Sequence, residues 1–233
     1  MIKAVFFDLY QTLVSFDPPR EELQAQALSD FGIRVKPEAL RHPLLKADEY
    51  FYQENARSPL SKRSPQDKIA VYSQYQTIVL KEAGIEPSRE LIGGIMGKWQ
   101  KLQFKLVLFD DVVPLLTDLK NRGLILGLIS NVDRDMTPLL EKLGLAPLLQ
   151  VIITSQDTGY TKPQPEIFQE ALRQAKVRAS EAIYVGDQYQ IDILGAQKAG
   201  IQGVLLDRGN YFNELSDCWR IQSLYQLAEH LKQ

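Results

Sequence analysis

Lys3-Ala4-Val5-Phe6-Phe7 runs straight into Asp8-Leu9-Tyr10-Gln11-Thr12-Leu13, and this stretch decides the fold. From Ala4 to Phe7 there is no alternation of apolar and polar residues. Such a block reads as a strand covered on both faces, as in a parallel sheet. Asp8 then places a carboxylate at the carboxyl end of that strand. The pattern returns at 124–129, 151–153, 182–185 and 203–206, each block rich in Ile, Leu and Val. Helical periods lie between them. Val113, Leu116 and Leu119 share a face of a helix predicted over 112–121, stopped by Arg122-Gly123. Ile167, Phe168, Ala171 and Leu172 do the same over 165–175, and a further helix is predicted over 192–199, ending at Gly200. Strand and helix alternating in this way predict right-handed βαβ units and a doubly wound parallel sheet, an α/β fold.

The stretch from 15 to 107 has a different texture. Residues 21–31, 37–52, 64–83 and 88–105 are helical in period, and Pro18-Pro19, Ser58-Pro59 and 84–87 punctuate them. A helical insert therefore separates the first strand from the rest of the sheet. Its aromatic residues Phe51, Tyr72, Tyr75 and Trp99 are expected to form its own core.

Composition narrows the function. With 27 basic and 29 acidic side chains in 233 residues, there is no broad basic field to draw in nucleic acid. The lone cysteine, Cys218, makes neither an internal disulfide nor a cysteine zinc cluster. Two histidines, His42 and His230, are too few for a three-histidine metal site. No run approaches the roughly 20 apolar residues that span a bilayer, and Asp8 interrupts the apolar N-terminus where a signal peptide would continue. The expectation is a cytoplasmic protein without nucleic-acid or membrane partners. Nothing in the pattern speaks to oligomeric state.

In open α/β sheets the reactive groups gather at the carboxyl ends of the strands. Asp8, Ser130, Lys162 and Gly186-Asp187 all fall there. In this order, these residues resemble the haloacid dehalogenase superfamily of hydrolases over essentially the whole chain. Its four signature blocks stand as Asp8-Leu9-Tyr10-Gln11-Thr12-Leu13, Leu128-Ile129-Ser130-Asn131, Lys162-Pro163-Gln164-Pro165-Glu166-Ile167-Phe168, and Val185-Gly186-Asp187 with Asp192 five residues on. The insert resembles the helical C1-type cap of the first subfamily. The resemblance implies a Rossmann-like core over 1–14 and 108–233 and a cap over 15–107.

By the same resemblance Asp8 is the nucleophile, forming a covalent aspartyl intermediate. A carboxylate is already ionised at neutral pH and needs no general base for that step. Asp8, Asp187 and the backbone carbonyl of Tyr10 would hold Mg²⁺, an ion that takes hard oxygen ligands and few carboxylates. Asp192 would stand behind them holding a metal water, or cap the helix that follows. Lys162 would neutralise the nucleophile and the transferring group. Ser130, with the N–H of Asn131, would bind a phosphoryl oxygen, unless Ser130 merely starts a helix. Thr12 would hold a substrate oxygen or orient the loop. The implied activity is a Mg²⁺-dependent phosphatase on a small phosphorylated metabolite.

Two departures qualify that implication. The family's phosphatases usually carry a second Asp two residues after the nucleophile, for proton transfer; here Tyr10 stands there, and a phenol of pKa about 10 suits that work poorly. Gln11 replaces the usual Gly and is strained if the turn needs positive φ. Tyr10 also resembles the 2-haloacid dehalogenase branch, whose halide leaves without a proton. That branch is metal-free, with a Ser-Ser-Asn-type fourth motif and a Tyr where this chain has Phe168. The phosphonate hydrolases lack the second Asp too but need a cap lysine, for which Lys46, Lys62, Lys68 and Lys98 all compete. Asp48, Glu49, Tyr50, Tyr52 and Glu54 cluster on one predicted helix and could supply the missing acid. A ligand-binding relative with weakened catalysis is the remaining alternative.

Overall fold

In the computed structural model, which describes residues 1–231, Ala4–Phe7 forms β1 with every side chain fully buried. The chain leaves on β2 (Val14–Asp17) and builds α1 (Arg20–Ser29), α2 (Arg41–Arg57), α3 (Pro65–Glu82) and α4 (Arg89–Trp99). It returns on β3 (Lys105–Leu108), which pairs with β2 as a two-stranded sheet. Then follow α5 (Val112–Asn121), β4 (Ile125–Ser130), α6 (Thr137–Lys142), β5 (Val151–Thr154), α7 (Ser155–Thr158) and α8 (Pro165–Ala175). The chain closes with β6 (Ala182–Gly186), α9 (Leu194–Lys198), β7 (Gln202–Leu206), β8 (Trp219–Ile221) and α10 (Leu224–His230).

The chain divides into two units, Met1–Ser15 with Val107–Gln233, and Phe16–Leu106. The first holds a six-stranded parallel sheet in the order β5-β4-β1-β6-β7-β8. It is the doubly wound α/β fold that the alternation predicts. Strand order reverses at β1, which lies between β4 and β6, and such a switch point is where open α/β sheets bind their ligands. Register brings the chemistry there. Phe7 pairs with Leu128 on one side and Val185 on the other, so Asp8, Ser130 and Asp187 emerge at nearly one level. The helix α8 buries Ile167, Phe168, Ala171, Leu172 and Ala175 in the core with Phe6, Ile129 and Tyr184. No helix among the described residues is long and apolar enough to cross a membrane.

The second unit has its own core, in which Leu28, Leu44, Val79, Leu80 and Ile95 pack together. It also buries a polar network. Gln24 Nε2 donates to Gln76 Oε1 at 2.9 Å, and Trp99 Nε1 donates to Gln24 Oε1 at 2.7 Å. Arg20 meets both oxygens of the buried Asp48, and Tyr75 donates to the same carboxylate at 3.0 Å. Each buried polar group thus has a partner, as burial demands. Tyr72 stands apart from the expected aromatic core: it touches Phe51 at 5.9 Å but is 45% exposed.

Two elements differ from their expectation. The helix expected over 88–105 stops at Trp99, and β3 follows. Leu102, Phe104, Leu106 and Leu108 alternate with polar or smaller residues, and that period of two overrides helical propensity once β2 is there to pair. The helix expected from Asp192 begins instead at Leu194, after a π-helical turn at Tyr189–Ile193. Asp192 therefore lies inside that turn and does not cap α9.

Candidate active site

Asp8 is the first residue beyond β1, tied to its neighbour strand by Asp8 N–H donating to the Val185 carbonyl at 2.9 Å. Its side chain is nearly fully buried. Lys162 reaches it from the loop before α8. Its Nζ donates to Asp8 Oδ1 at 2.6 Å, to Asp192 Oδ1 at 2.7 Å and to the Tyr184 hydroxyl at 2.8 Å. All three ammonium protons are thereby engaged. The lysine backbone is held as well. Lys162 N–H donates to Asn131 Oδ1 at 2.7 Å, and Asn131 Nδ2 donates to the Lys162 carbonyl at 2.9 Å. So the Asn131 side chain braces the lysine loop, a job distinct from the backbone N–H expected to face a phosphoryl group.

Asp192 has both oxygens occupied. Oδ1 takes Lys162 and, at 3.0 Å, the Tyr184 hydroxyl; Oδ2 accepts from Gln188 N–H at 3.0 Å. Its carboxylate packs directly on Gly186, where a Cβ would sit 2.3 Å from Oδ2. Only glycine admits that approach. Asp187, next in the chain, accepts from Gln188 Nε2 at 2.9 Å. Asp8, Asp187 and Asp192 each bring a carboxylate oxygen within 4.8 Å of the others, and all three residues are buried.

Two carboxylates share the Lys162 ammonium and a third stands close by, and the electrostatics follow. Burial pushes the Asp8 carboxyl up from 3.8 to about 6; Lys162 opposes the rise and Asp192 adds to it. Burial would strip Lys162 of its proton, but Asp192 and Asp8 outweigh it and hold the ammonium above the ordinary lysine value. Burial first, then Asp192 and Asp8, raise the Tyr184 phenol well above its usual range, so it stays a neutral donor. The pocket carries surplus negative charge in an all-oxygen donor set. That is the environment a hard divalent cation suits.

The loop after β1 is compact. Gln11 N–H donates to the Val14 carbonyl at 2.7 Å, Leu13 and Val14 N–H both donate to the Leu9 carbonyl, and Gln11 takes φ +58°. The strain expected of a non-glycine residue there is present. Thr12 is fully buried and its Oγ1 has no hydrogen-bond partner among the described residues. Ser130 is buried as the last residue of β4, and the next helix starts only at Thr137, so Ser130 does not begin a helix. The Tyr10 hydroxyl accepts from Arg134 Nη2 at 3.1 Å.

Sequence reading missed Tyr184 and Arg134. The signal for Tyr184 was present: a tyrosine in a fully buried aliphatic strand must find a partner for its hydroxyl. Phe168, where the dehalogenases have Tyr, packs edge-on against the Tyr184 ring at 5.1 Å. The hydroxyl near Lys162 comes from β6 instead. On α2, the acids considered as proton donors are engaged within their own unit: Asp48 with Arg20, Glu49 with Lys46, and Glu54 with Arg57 and Arg63.

Comparison with known proteins shows the family. Residues 45–206 match the family model described as haloacid dehalogenase-like hydrolase. The glyceraldehyde 3-phosphate phosphatase of Methanopyrus kandleri is 30% identical over 217 residues, covering 91% of this chain and 86% of that protein. The ribulose-1,5-bisphosphate 5-phosphatase of Halopiger xanaduensis is 29% identical over 215 residues, covering 89% and 85%. Among solved structures, a 2-haloacid dehalogenase from Pseudomonas syringae pv. Tomato is 30% identical with a TM-score of 0.58, covering 100% of this chain and 99% of that one.

Proposed function

This chain belongs to the haloacid dehalogenase-like hydrolases, and we propose that it is the family's phosphatase type, a Mg²⁺-dependent hydrolase of a small phosphorylated metabolite. The observation that carries the reading is the buried cluster of Asp8, Asp187 and Asp192, whose carboxylate oxygens lie within 4.8 Å of one another, with Lys162 bonded to Asp8 and Asp192. Without a cation, a third buried carboxylate in that pocket is unfavourable. Two relatives whose names specify glyceraldehyde 3-phosphate and ribulose-1,5-bisphosphate as substrates support the same class.

Asp8 and Asp187, with the Tyr10 carbonyl, would hold Mg²⁺; Asp192, already bonded to Lys162, Tyr184 and Gln188, stands behind them. When bound, the ion offsets the repulsion between the carboxylate and a phosphate dianion. An Asp8 oxygen attacks phosphorus, the bond to the leaving oxygen breaks, and an aspartyl phosphate forms. Water then attacks that phosphorus, releasing inorganic phosphate and restoring the carboxylate. Lys162 stays charged throughout, because Asp192 keeps it so even while Asp8 is esterified. Ser130, the Asn131 N–H and the Thr12 hydroxyl bind phosphoryl oxygens. The core runs over 1–14 and 108–233, and the insert 15–107 serves as the cap that selects the substrate.

The second reading, a 2-haloacid dehalogenase, draws on Tyr10 and on the Pseudomonas syringae relative. Asp187 weighs against it, since that branch is metal-free with a Ser-Ser-Asn-type fourth motif. A panel of phosphate esters and 2-haloacids, each with Mg²⁺ and with EDTA, tests the choice. Phosphate release abolished by EDTA is the expected result. Halide release indifferent to EDTA would overturn it.

A further inference from the structure

Arg208 stands two residues beyond β7, and its guanidinium reaches across to the nucleophile loop. Nη1 and Nη2 each meet one oxygen of the buried Asp111 at 2.8 Å, a bidentate pair. The guanidinium carbon stacks 3.9 Å from the centre of the Phe109 ring. Asp111 is itself anchored, accepting from Leu224 N–H at 2.9 Å. With its position so determined, Nη2 donates a further bond to the Thr12 carbonyl at 3.1 Å. We propose that Arg208 is a positioning residue for Thr12, and through it for the loop that presents Asp8.

The argument rests on what that loop cannot do for itself. Its N–H groups at Gln11, Leu13 and Val14 bond within the loop, and Phe109 N–H holds the Leu13 carbonyl at 3.2 Å. The Thr12 carbonyl is secured by a residue 196 positions away. Pinning that carbonyl sets the Thr12 backbone ψ next to Gln11, which already sits in the sparsely populated left-handed region. It also sets where the Thr12 hydroxyl stands, and that hydroxyl is the buried group in the loop with no partner of its own. A buried hydroxyl without a partner is costly, so the arrangement makes sense when a ligand oxygen completes it. The ion pair with Asp111 and the stack on Phe109 do not by themselves require the bond to the Thr12 carbonyl. Lysine cannot replace this arginine, since one ammonium does not bridge a carboxylate, stack on a ring and reach a carbonyl at once.

This inference rests on the phosphatase reading, in which Thr12 binds a phosphoryl oxygen. The test is a double-mutant cycle of Arg208→Lys and Thr12→Val, assayed on 4-nitrophenyl phosphate with Mg²⁺ and paired with thermal unfolding. Arg208→Lys is expected to lower kcat by about 10- to 100-fold, as a small misplacement of a binding group does. KM should move far less. In the Arg208→Lys background, Thr12→Val should cost little more, because the hydroxyl is already out of place. If Arg208→Lys does not fold, Asp111→Asn, which keeps the shape and loosens the arginine, carries the same cycle. Wild-type turnover with fully additive losses, or a fall in unfolding temperature with kcat unchanged, overturns the role of Arg208 alone. No phosphate turnover by the wild type overturns the phosphatase reading and this inference with it.

Discussion

The Lys162 ammonium and the Tyr184 hydroxyl meet at 2.8 Å in a position closed to solvent. The phenol accepts from the lysine and donates onward to Asp192, so it joins the two groups that flank the nucleophile. Tyr184→Phe removes only that oxygen. It leaves one lysine proton and one carboxylate lone pair unanswered in a buried site, a cost of about 1–3 kcal/mol. Urea unfolding of metal-free protein should show that loss, and kcat should fall with Lys162 less firmly aimed. A variant as stable and as active as the wild type would mean the contact is incidental.

How much of this was readable beforehand depends on whether a signal is local. Asp8 and Asp187 were legible because each sits in a short motif at the end of a strand, and parallel register carries strand ends to one edge. Lys162 was legible from its motif alone, since α7 stands between it and the end of β5. Tyr184 lies in a block that reads only as buried strand, so nothing local says which partner its hydroxyl finds. The Arg208–Asp111 pair spans 97 positions with no motif at either end, so only folding reveals it. The π-turn around Asp192 eluded a period-based reading, because the chain resumes regular helix at Leu194. β3 was lost to the helical texture that surrounds it.

Asp8 makes stability depend on pH in a calculable direction. In the unfolded chain its carboxyl ionises near 3.8, and in the folded metal-free chain at about 6. Between those values the folded state holds a proton the unfolded state has released, so the Asp8 contribution to stability falls as pH rises through that window. Denaturant unfolding of wild type and Asp8→Asn at several pH values should isolate this, the wild type losing ground relative to the variant from pH 4 to 6. Saturating Mg²⁺ should erase the difference in slope, since the ion favours the ionised form. Parallel curves in metal-free protein would contradict the assignment.

Gly186 leaves no room for a methyl group. A Cβ there would stand 2.3 Å from the Asp192 carboxylate, which is itself bonded to Lys162, Tyr184 and Gln188 N–H. Gly186→Ala must therefore push Asp192 aside or shift β6, at a cost of about 1–3 kcal/mol for overpacking. Lys162 loses part of its charge balance in the same move. Calorimetric titration of the variant with Mg²⁺, beside its turnover of an aryl phosphate, should show both weakened. Undiminished binding and turnover would show that Asp192 can relocate without consequence.

Tyr10 should leave its mark on the choice of leaving group. With a phenol where the family's phosphatases usually keep a carboxylic acid, little help reaches the departing oxygen, and general acid catalysis is worth about 10²–10⁴-fold when present. Aryl phosphates, whose leaving oxygens need no proton, should turn over readily, while simple alkyl phosphates should lag by a factor within that range. Tyr10→Asp should narrow the gap by raising the alkyl rate, with the aryl rate nearly unchanged. The guanidinium of Arg134, 3.1 Å from the Tyr10 hydroxyl, is the nearby cation that could offset the added carboxylate. Competition between an aryl and an alkyl phosphate, followed by release of each alcohol, measures the ratio directly. Equal rates for the two esters in the wild type would show that the proton comes from elsewhere, and that Tyr10 does not limit the reaction.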